Sequence, residues 1–214
     1  MPRQAEQLRA IFDRLYAHFG PQGWWPGNSA FEVVVGAILT QNTNWKNVER
    51  AIANLKEAGL LAFSAMLALS PELLAEYIRP AGYYRIKAQR LQNLLHMVAE
   101  EYGSLEDFLA LPVGPLRERL LQVRGIGPET ADAITLYAAE KPVFVVDAYT
   151  FRILLRHNLV DEDADYAGMQ ELFMDSLPPD TKLYGEYHAL LVQLGKQFCK
   201  KTKPDCEHCP LREL

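Results

Sequence analysis

Between residues 5 and 19 the apolar positions are Leu8, Ile11, Phe12, Leu15, Tyr16 and Phe19, with charged and polar residues between them. Steps of three and four predict an amphipathic helix with one buried stripe. Gly20-Pro21-Gln22-Gly23 ends it. Periodic patterns also predict helices over 71–78, 87–101, 116–123 and 184–198. Ser70 before Pro71 reads as an N-cap followed by proline at the first helical position. Two stretches are ambiguous. Residues 32–39 are apolar almost throughout and fit a buried strand, but the residues after them carry no hairpin turn signal. Residues 143–147, Val-Phe-Val-Val-Asp, have the β-branched content of a strand but no second run to pair with, and TFRILLRHNL after them has helical spacing. Consistency along the chain predicts an all-α fold. Pro178-Pro179 marks a loop before the last long helix.

Length and composition narrow the class. A chain of 214 residues, 49% hydrophobic, accommodates one large domain or two small lobes with a sizeable core. No apolar run approaches the ~18 residues that span a bilayer. The start, MPRQAEQLRAIF, has no signal-peptide core. The expectation is a cytoplasmic protein without a membrane partner. A net charge of −5 argues against indiscriminate coating of nucleic acid. Local charge differs. RPAGYYRIKAQR at 79–90 holds Arg79, Arg85, Lys87 and Arg90 without an acid, and KQFCKKTK at 196–203 holds Lys196, Lys200, Lys201 and Lys203. Either run alone reads as solvated surface. Two of them, one interleaved with Tyr83 and Tyr84, point to a phosphate-contacting face.

The cysteines read Cys199-x6-Cys206-x2-Cys209. An odd number in a cytoplasmic chain disfavours a disulfide framework, and a CxxC pair fits metal ligation better. Gly125-Ile126-Gly127 lies between two helical segments in LLQVRGIGPETADAI. Glycines permit φ > 0 and a close backbone approach. The helix from about Pro128 presents free N–H groups there, a setting that attracts phosphate. Leu121, Val123, Ile126, Ala131 and Ile134 are expected to staple the two helices together. An ordinary corner between helices is the alternative reading.

VRGIGPETADAI followed by Asp147 in VVDAYTFR resembles the helix-hairpin-helix, Gly/Pro-rich loop and aspartate of the endonuclease III superfamily of DNA glycosylases. LTQNTNW at 39–45 resembles that family's minor-groove loop, and the cysteine tail resembles its iron–sulfur loop. These features span residues 24–209 in the family's order. The resemblance implies an all-α, two-lobed fold. One lobe of six helices would cover 24–135 with the hairpin; the other would join 1–23 to 136–214 with the aspartate and the cysteines; the DNA cleft would lie between them. It further implies a monomer acting on double-stranded DNA with damaged bases in the nucleoid. The hairpin amides at Gly125 and Gly127 would contact phosphate, in some members through a bound monovalent cation, and the damaged nucleotide would be flipped out. Asp147 would lie at the sugar, stabilising positive charge and orienting or deprotonating water. Asp147 also fits a helix N-cap, and the two roles are compatible.

Three positions refine this reading. Members that also cut the backbone carry a lysine two residues after the second hairpin glycine. Here Glu129 stands there, and a carboxylate cannot form a Schiff base with C1′. The expected reaction is therefore monofunctional. Second, Gly23-Trp24-Trp25-Pro26 and Trp45 hold all three tryptophans. With FEVVVGAILTQNT, IRPAGYY and GIGPETADAI they resemble the 3-methyladenine branch. That match implies that Trp24 and Trp45 sandwich the extruded base, with Trp25 and Pro26 as pocket wall; core packing is the alternative. Gln41, with Asn42 beside it, would fill the gap left by the base, and Tyr83 or Tyr84 would wedge from the other side. Third, the family's cluster spacing places a fourth cysteine one residue beyond Leu214. A [4Fe–4S] cluster on Cys199, Cys206 and Cys209 is the expected cofactor; zinc on the three thiolates and His208 is the alternative. The cluster would tie the terminal loop and present Lys200, Lys201 and Lys203 to phosphate. The expected function is monofunctional excision of alkylated purines in base excision repair. The rivals are a bifunctional or other-specificity glycosylase, for oxidised pyrimidines or mismatched adenine, and a non-catalytic helix-hairpin-helix DNA-binding protein.

Overall fold

The computed structural model describes residues 2–214, and its elements are helical. In chain order they are α1 (Pro2–Phe19), α2 (Ala30–Leu39), α3 (Trp45–Glu57), α4 (Phe63–Leu67), α5 (Pro71–Tyr77) and a 3-10 turn at Arg79–Ala81. Next come α6 (Tyr84–Glu101), α7 (Leu105–Ala110), α8 (Val113–Gln122) and α9 (Pro128–Ala133), which continues as a π-helical turn, Ile134–Ala138. Then come α10 (Ala148–Arg156), α11 (Tyr166–Ser176) and α12 (Thr181–Gln197). No strand occurs among the described residues. None of these helices is long and apolar enough to cross a membrane.

The chain forms two compact units, Pro26–Lys141 and Met1–Trp25 with Pro142–Leu214. In the first, the all-apolar stretch that fitted a strand is helix α2. Ser29 caps it, its Oγ accepting from Glu32 N at 3.2 Å. Residues Phe31 to Leu39 are all buried, so the helix is apolar all round because it is enclosed all round. Glu32 is tolerated there because Lys56 Nζ lies 2.7 Å from its carboxylate and Asn28 N donates to it at 3.1 Å. Ser70 caps α5 as its sequence suggests, accepting from Leu73 N at 3.2 Å. A buried fork joins α8 to α9: Arg117 Nε and Nη2 donate to Asp132 Oδ1 and Oδ2 at 2.6 and 3.1 Å.

In the second unit, Leu8, Ile11 and Leu15 of α1 are buried as the periodicity predicts. Tyr187 of α12 donates its hydroxyl to Leu8 O at 2.8 Å. Phe144 stacks on Phe173, centroids 3.8 Å apart, with Tyr184 and Tyr187 edge-on to it. Residues 143–146 are buried but form no regular element, and no strand lies beside them. Helix α11 serves instead: Gln170 Nε2 donates to Phe144 O at 2.6 Å, and the Tyr166 hydroxyl accepts from Val146 N at 3.4 Å. Side chains thus satisfy backbone groups that a sheet would otherwise pair.

Candidate active site and nucleic-acid-facing loops

The buried segment ends at Asp147, which caps α10 with φ −128° and ψ −178°. Its Oδ1 accepts from Thr150 N at 2.7 Å and from Thr150 Oγ1 at 2.9 Å. Its Oδ2 lies 3.6 Å from Nε2 of His188 on α12, and both side chains are nearly enclosed, 11% and 8% exposed. Burial is the largest influence on this carboxyl and pushes its pKa up; the imidazole of His188 beside it and the two bonds from Thr150 outweigh it. The net direction is below the ordinary 3.8, so the group is a fixed carboxylate at neutral pH.

Further along α12, Lys196 Nζ lies 5.7 Å from the centroid of Trp24, whose ring is 5.4 Å from that of Trp25. Burial beside these groups draws the Lys196 pKa down, against the pull of the Asp147 charge. Trp24 and Trp25 are both partly buried, and Pro26 is exposed. The sequence assigns His188 and Thr150 no site role, and Lys196 enters only as part of the basic run at 196–203. The available signal was a histidine on the apolar face of a helix whose other inward positions are Tyr184, Tyr187, Leu191 and Leu194.

The glycine hairpin joins α8 and α9. Val123, Ile126, Ala131 and Ile134 are buried as the expected staple, and Leu121 is only partly covered. Only Gly125 uses the left-handed freedom, with φ +97°. Gly127 is extended, φ −95° and ψ 179°, a conformation open to any residue. A Cβ at Gly125 would lie 2.4 Å from Arg90 Cγ, so this glycine is also required by close packing. Both glycines and Glu129 are exposed.

The loop from 40 to 44 packs on this hairpin. Gln41 Nε2 donates to Gly125 O at 3.1 Å and to Thr130 Oγ1 at 2.9 Å, and its Oε1 accepts from Arg90 Nη1. Asn42 is exposed at φ +51°. Trp45 is partly exposed and its Nε1–H donates to Glu49 Oε1 at 2.9 Å. Tyr83 stands out from the surface, 69% exposed, while Tyr84 is flanked by the guanidinium groups of Arg79 and Arg85 at 5.7 and 5.9 Å. Lys87 departs from both readings of its basic run. It is buried, neither solvated nor placed to meet phosphate, and its ammonium donates to Leu39 O and Ala81 O, each at 2.8 Å.

In the tail, Cys199 is buried, Cys206 exposed and Cys209 partly covered. Arg152 Nε donates to Cys199 O at 2.7 Å, and Arg156 to Lys200 O at 2.8 Å and Lys201 O at 3.3 Å, leaving both lysine side chains exposed. His208 Nδ1 is 2.8 Å from Asp205 Oδ1. Among the described residues, no three His, Cys, Asp or Glu side chains converge on a centre that would hold a metal ion. The three thiols share one loop, with Cys209 within the electrostatic reach of Cys199 and Cys206.

The sequence of residues 35–179 matches the HhH-GPD superfamily of base excision DNA repair proteins. A Methanocaldococcus jannaschii protein that carries the provisional name of a DNA repair glycosylase is 47% identical over 211 residues, 98% of this chain and 96% of its own. Endonuclease III of Thermotoga maritima is 30% identical over 187 residues, 85% of this chain and 80% of its own. Among solved structures, the Helicobacter pylori 3-methyladenine DNA glycosylase bound to 1,N6-ethenoadenine superimposes with a TM-score of 0.75 at 32% identity, covering 91% of this chain and 97% of that one. The chain belongs to the HhH-GPD superfamily. Within it, it is an endonuclease III-like helix-hairpin-helix DNA glycosylase.

Proposed function

We propose that the protein hydrolyses the N-glycosidic bond of alkylated purines of the 3-methyladenine type in double-stranded DNA, without cutting the backbone. The observation that carries this reading is Asp147, an enclosed carboxylate held ionised by Thr150 and His188, in a chain whose hairpin bears Glu129 where the lyase members carry lysine.

The chemistry follows from charge. An N3- or N7-alkylated purine is cationic, so the glycosidic electron pair leaves with the base and neutralises it. The positive charge then develops on the sugar, where a fixed carboxylate is most effective. Water oxygen bonds to C1′ and gives up a proton, which the carboxylate can accept. An indole face such as that of Trp24 attracts a cationic base by ~0.5–2 kcal/mol. The likeness to the Helicobacter pylori 3-methyladenine enzyme supports this substrate class. Exposed Tyr83, Asn42, Lys200 and Lys201 and the hairpin at Gly125 and Gly127 are proposed to contact the duplex.

A second reading rests on Lys196, an amine near Trp24 and within the field of Asp147. Its nitrogen bonding to C1′ would displace the base, and opening of the sugar ring would give an imine, the start of backbone cleavage. The test is a gel assay on duplexes carrying 3-methyladenine, thymine glycol or uracil, with and without hot alkali. Breaks on the alkylated duplex that need alkali support hydrolysis. Breaks without alkali support the Lys196 reading, and release of no base from any duplex contradicts both.

A further inference from the structure

Helix α6 carries three polar side chains at steps of three residues, Lys87, Arg90 and Asn93, and between them they reach three loops of their own unit. Lys87 Nζ bonds Leu39 O, where α2 runs into the 40–44 loop, and Ala81 O, two residues before Tyr83. One turn on, Arg90 Nη1 donates to Gln41 Oε1 while its stem lies on the Cα of Gly125, where no Cβ fits. Beyond it, Asn93 Nδ2 donates to Arg124 O at 3.1 Å, the residue that opens the hairpin turn. Gln41 closes the set by donating to Gly125 O and Thr130 Oγ1.

We propose that Lys87, Arg90 and Asn93 form a splint that holds the loops at 40–44, 81–83 and 124–127 in one arrangement before DNA arrives. The three are positioning residues. The proposal rests on the reading of these loops as the DNA-facing ones. Several observations favour a splint over a row of phosphate contacts. Lys87 is 1% exposed and both of its bonds go to backbone carbonyls. Arg90 directs its Nη1 to Gln41. Asn93 carries no charge. Two carbonyls that end helical segments, and the turn carbonyl of Arg124, are satisfied by side chains of one rigid helix, so the loops lose freedom without binding anything. A loop fixed beforehand costs less to order on binding, which raises affinity without adding a contact.

The test uses the full chain with Arg90→Met, Arg90→Lys and the milder Asn93→Ala. Amide hydrogen exchange of the DNA-free protein reads the splint alone. Exchange at 41–43 and 124–127 is expected to rise at least about tenfold in Arg90→Met and Asn93→Ala, with α12 unchanged. Affinity for a duplex carrying a stable abasic-site analogue is expected to fall about tenfold in Arg90→Met, with the slope of log K against log salt unchanged, and Arg90→Lys is expected not to restore it. A slope lower by about one, with rescue by lysine, would mark Arg90 as a direct phosphate contact and overturn the proposal. Unchanged exchange in a folded Asn93→Ala or Arg90→Met overturns it equally. If exchange rises but no variant or parent binds the duplex, the splint stands and the functional reading fails.

Discussion

Asp147 divides its work between two oxygens: Oδ1 makes both capping bonds and Oδ2 faces His188. Asparagine caps a helix as well as aspartate does, so Asp147→Asn separates the roles. We expect melting to show less than about 1 kcal/mol of lost stability and single-turnover excision to fall roughly 100- to 1,000-fold, with lesion binding retained. Near-normal excision would remove Asp147 from the chemistry. Because the folded pKa is depressed, the stabilisation from its partners is complete above the ordinary 3.8 and is lost only as pH falls through the lower folded value. Lys87 shows the opposite charge in a similar enclosure. Burial, then the neighbouring charge of Arg90, lowers its pKa from 10.5 to about 8. The unfolded chain therefore binds the proton more tightly, and stability rises with pH between those two values, by on the order of 3 kcal/mol in full. Denaturant melts at pH 7.5 and pH 10 are expected to show this gain in the parent relative to Lys87→Met. A parallel response in both would contradict it.

Among the elements, the hairpin gives the sharpest contrast between two glycines that look alike in sequence. Gly125 has φ +97° and Arg90 against its Cα, whereas Gly127 is extended with no atom within 4 Å of a Cβ. Gly125→Ala is expected to cost about 1–3 kcal/mol, and Gly127→Ala under about 1 kcal/mol. Equal melting temperatures for the two would refute this account of the turn. The same contrast separates what was legible in the sequence from what was not. Apolar steps of three and four in α1 and the Ser-Pro start of α5 are local signals, and both elements appear where expected. Asp147 was legible as cap and candidate catalyst because the motif around it is contiguous. What was hidden depends on distant partners. Residues 143–146 sit buried without a sheet because Tyr166 and Gln170 reach them from α11. Helix α7 was missed because six residues carry too little periodicity, although Ser104 caps it through Asp107 N. Lys87 looked like surface because neighbouring charges mask a lysine whose partners are two remote carbonyls.

For the molecule as a whole, the net charge of −5 now has a local account. Of the four cations at 79–90, Lys87 is enclosed and Arg90 donates to Gln41, while Arg79 and Arg85 are exposed, Arg79 with Glu76 3.7 Å away. One unit brings together Asp147, His188, Lys196 and Trp24; the other carries the hairpin and the loops splinted to it. On the proposed mechanism water, and no amine of the protein, attacks the sugar. Borohydride trapping on a duplex containing 3-methyladenine tests it most directly. Alkali-labile abasic sites are expected to accumulate with no protein–DNA adduct. A borohydride-stable adduct that disappears in Lys196→Met would contradict it.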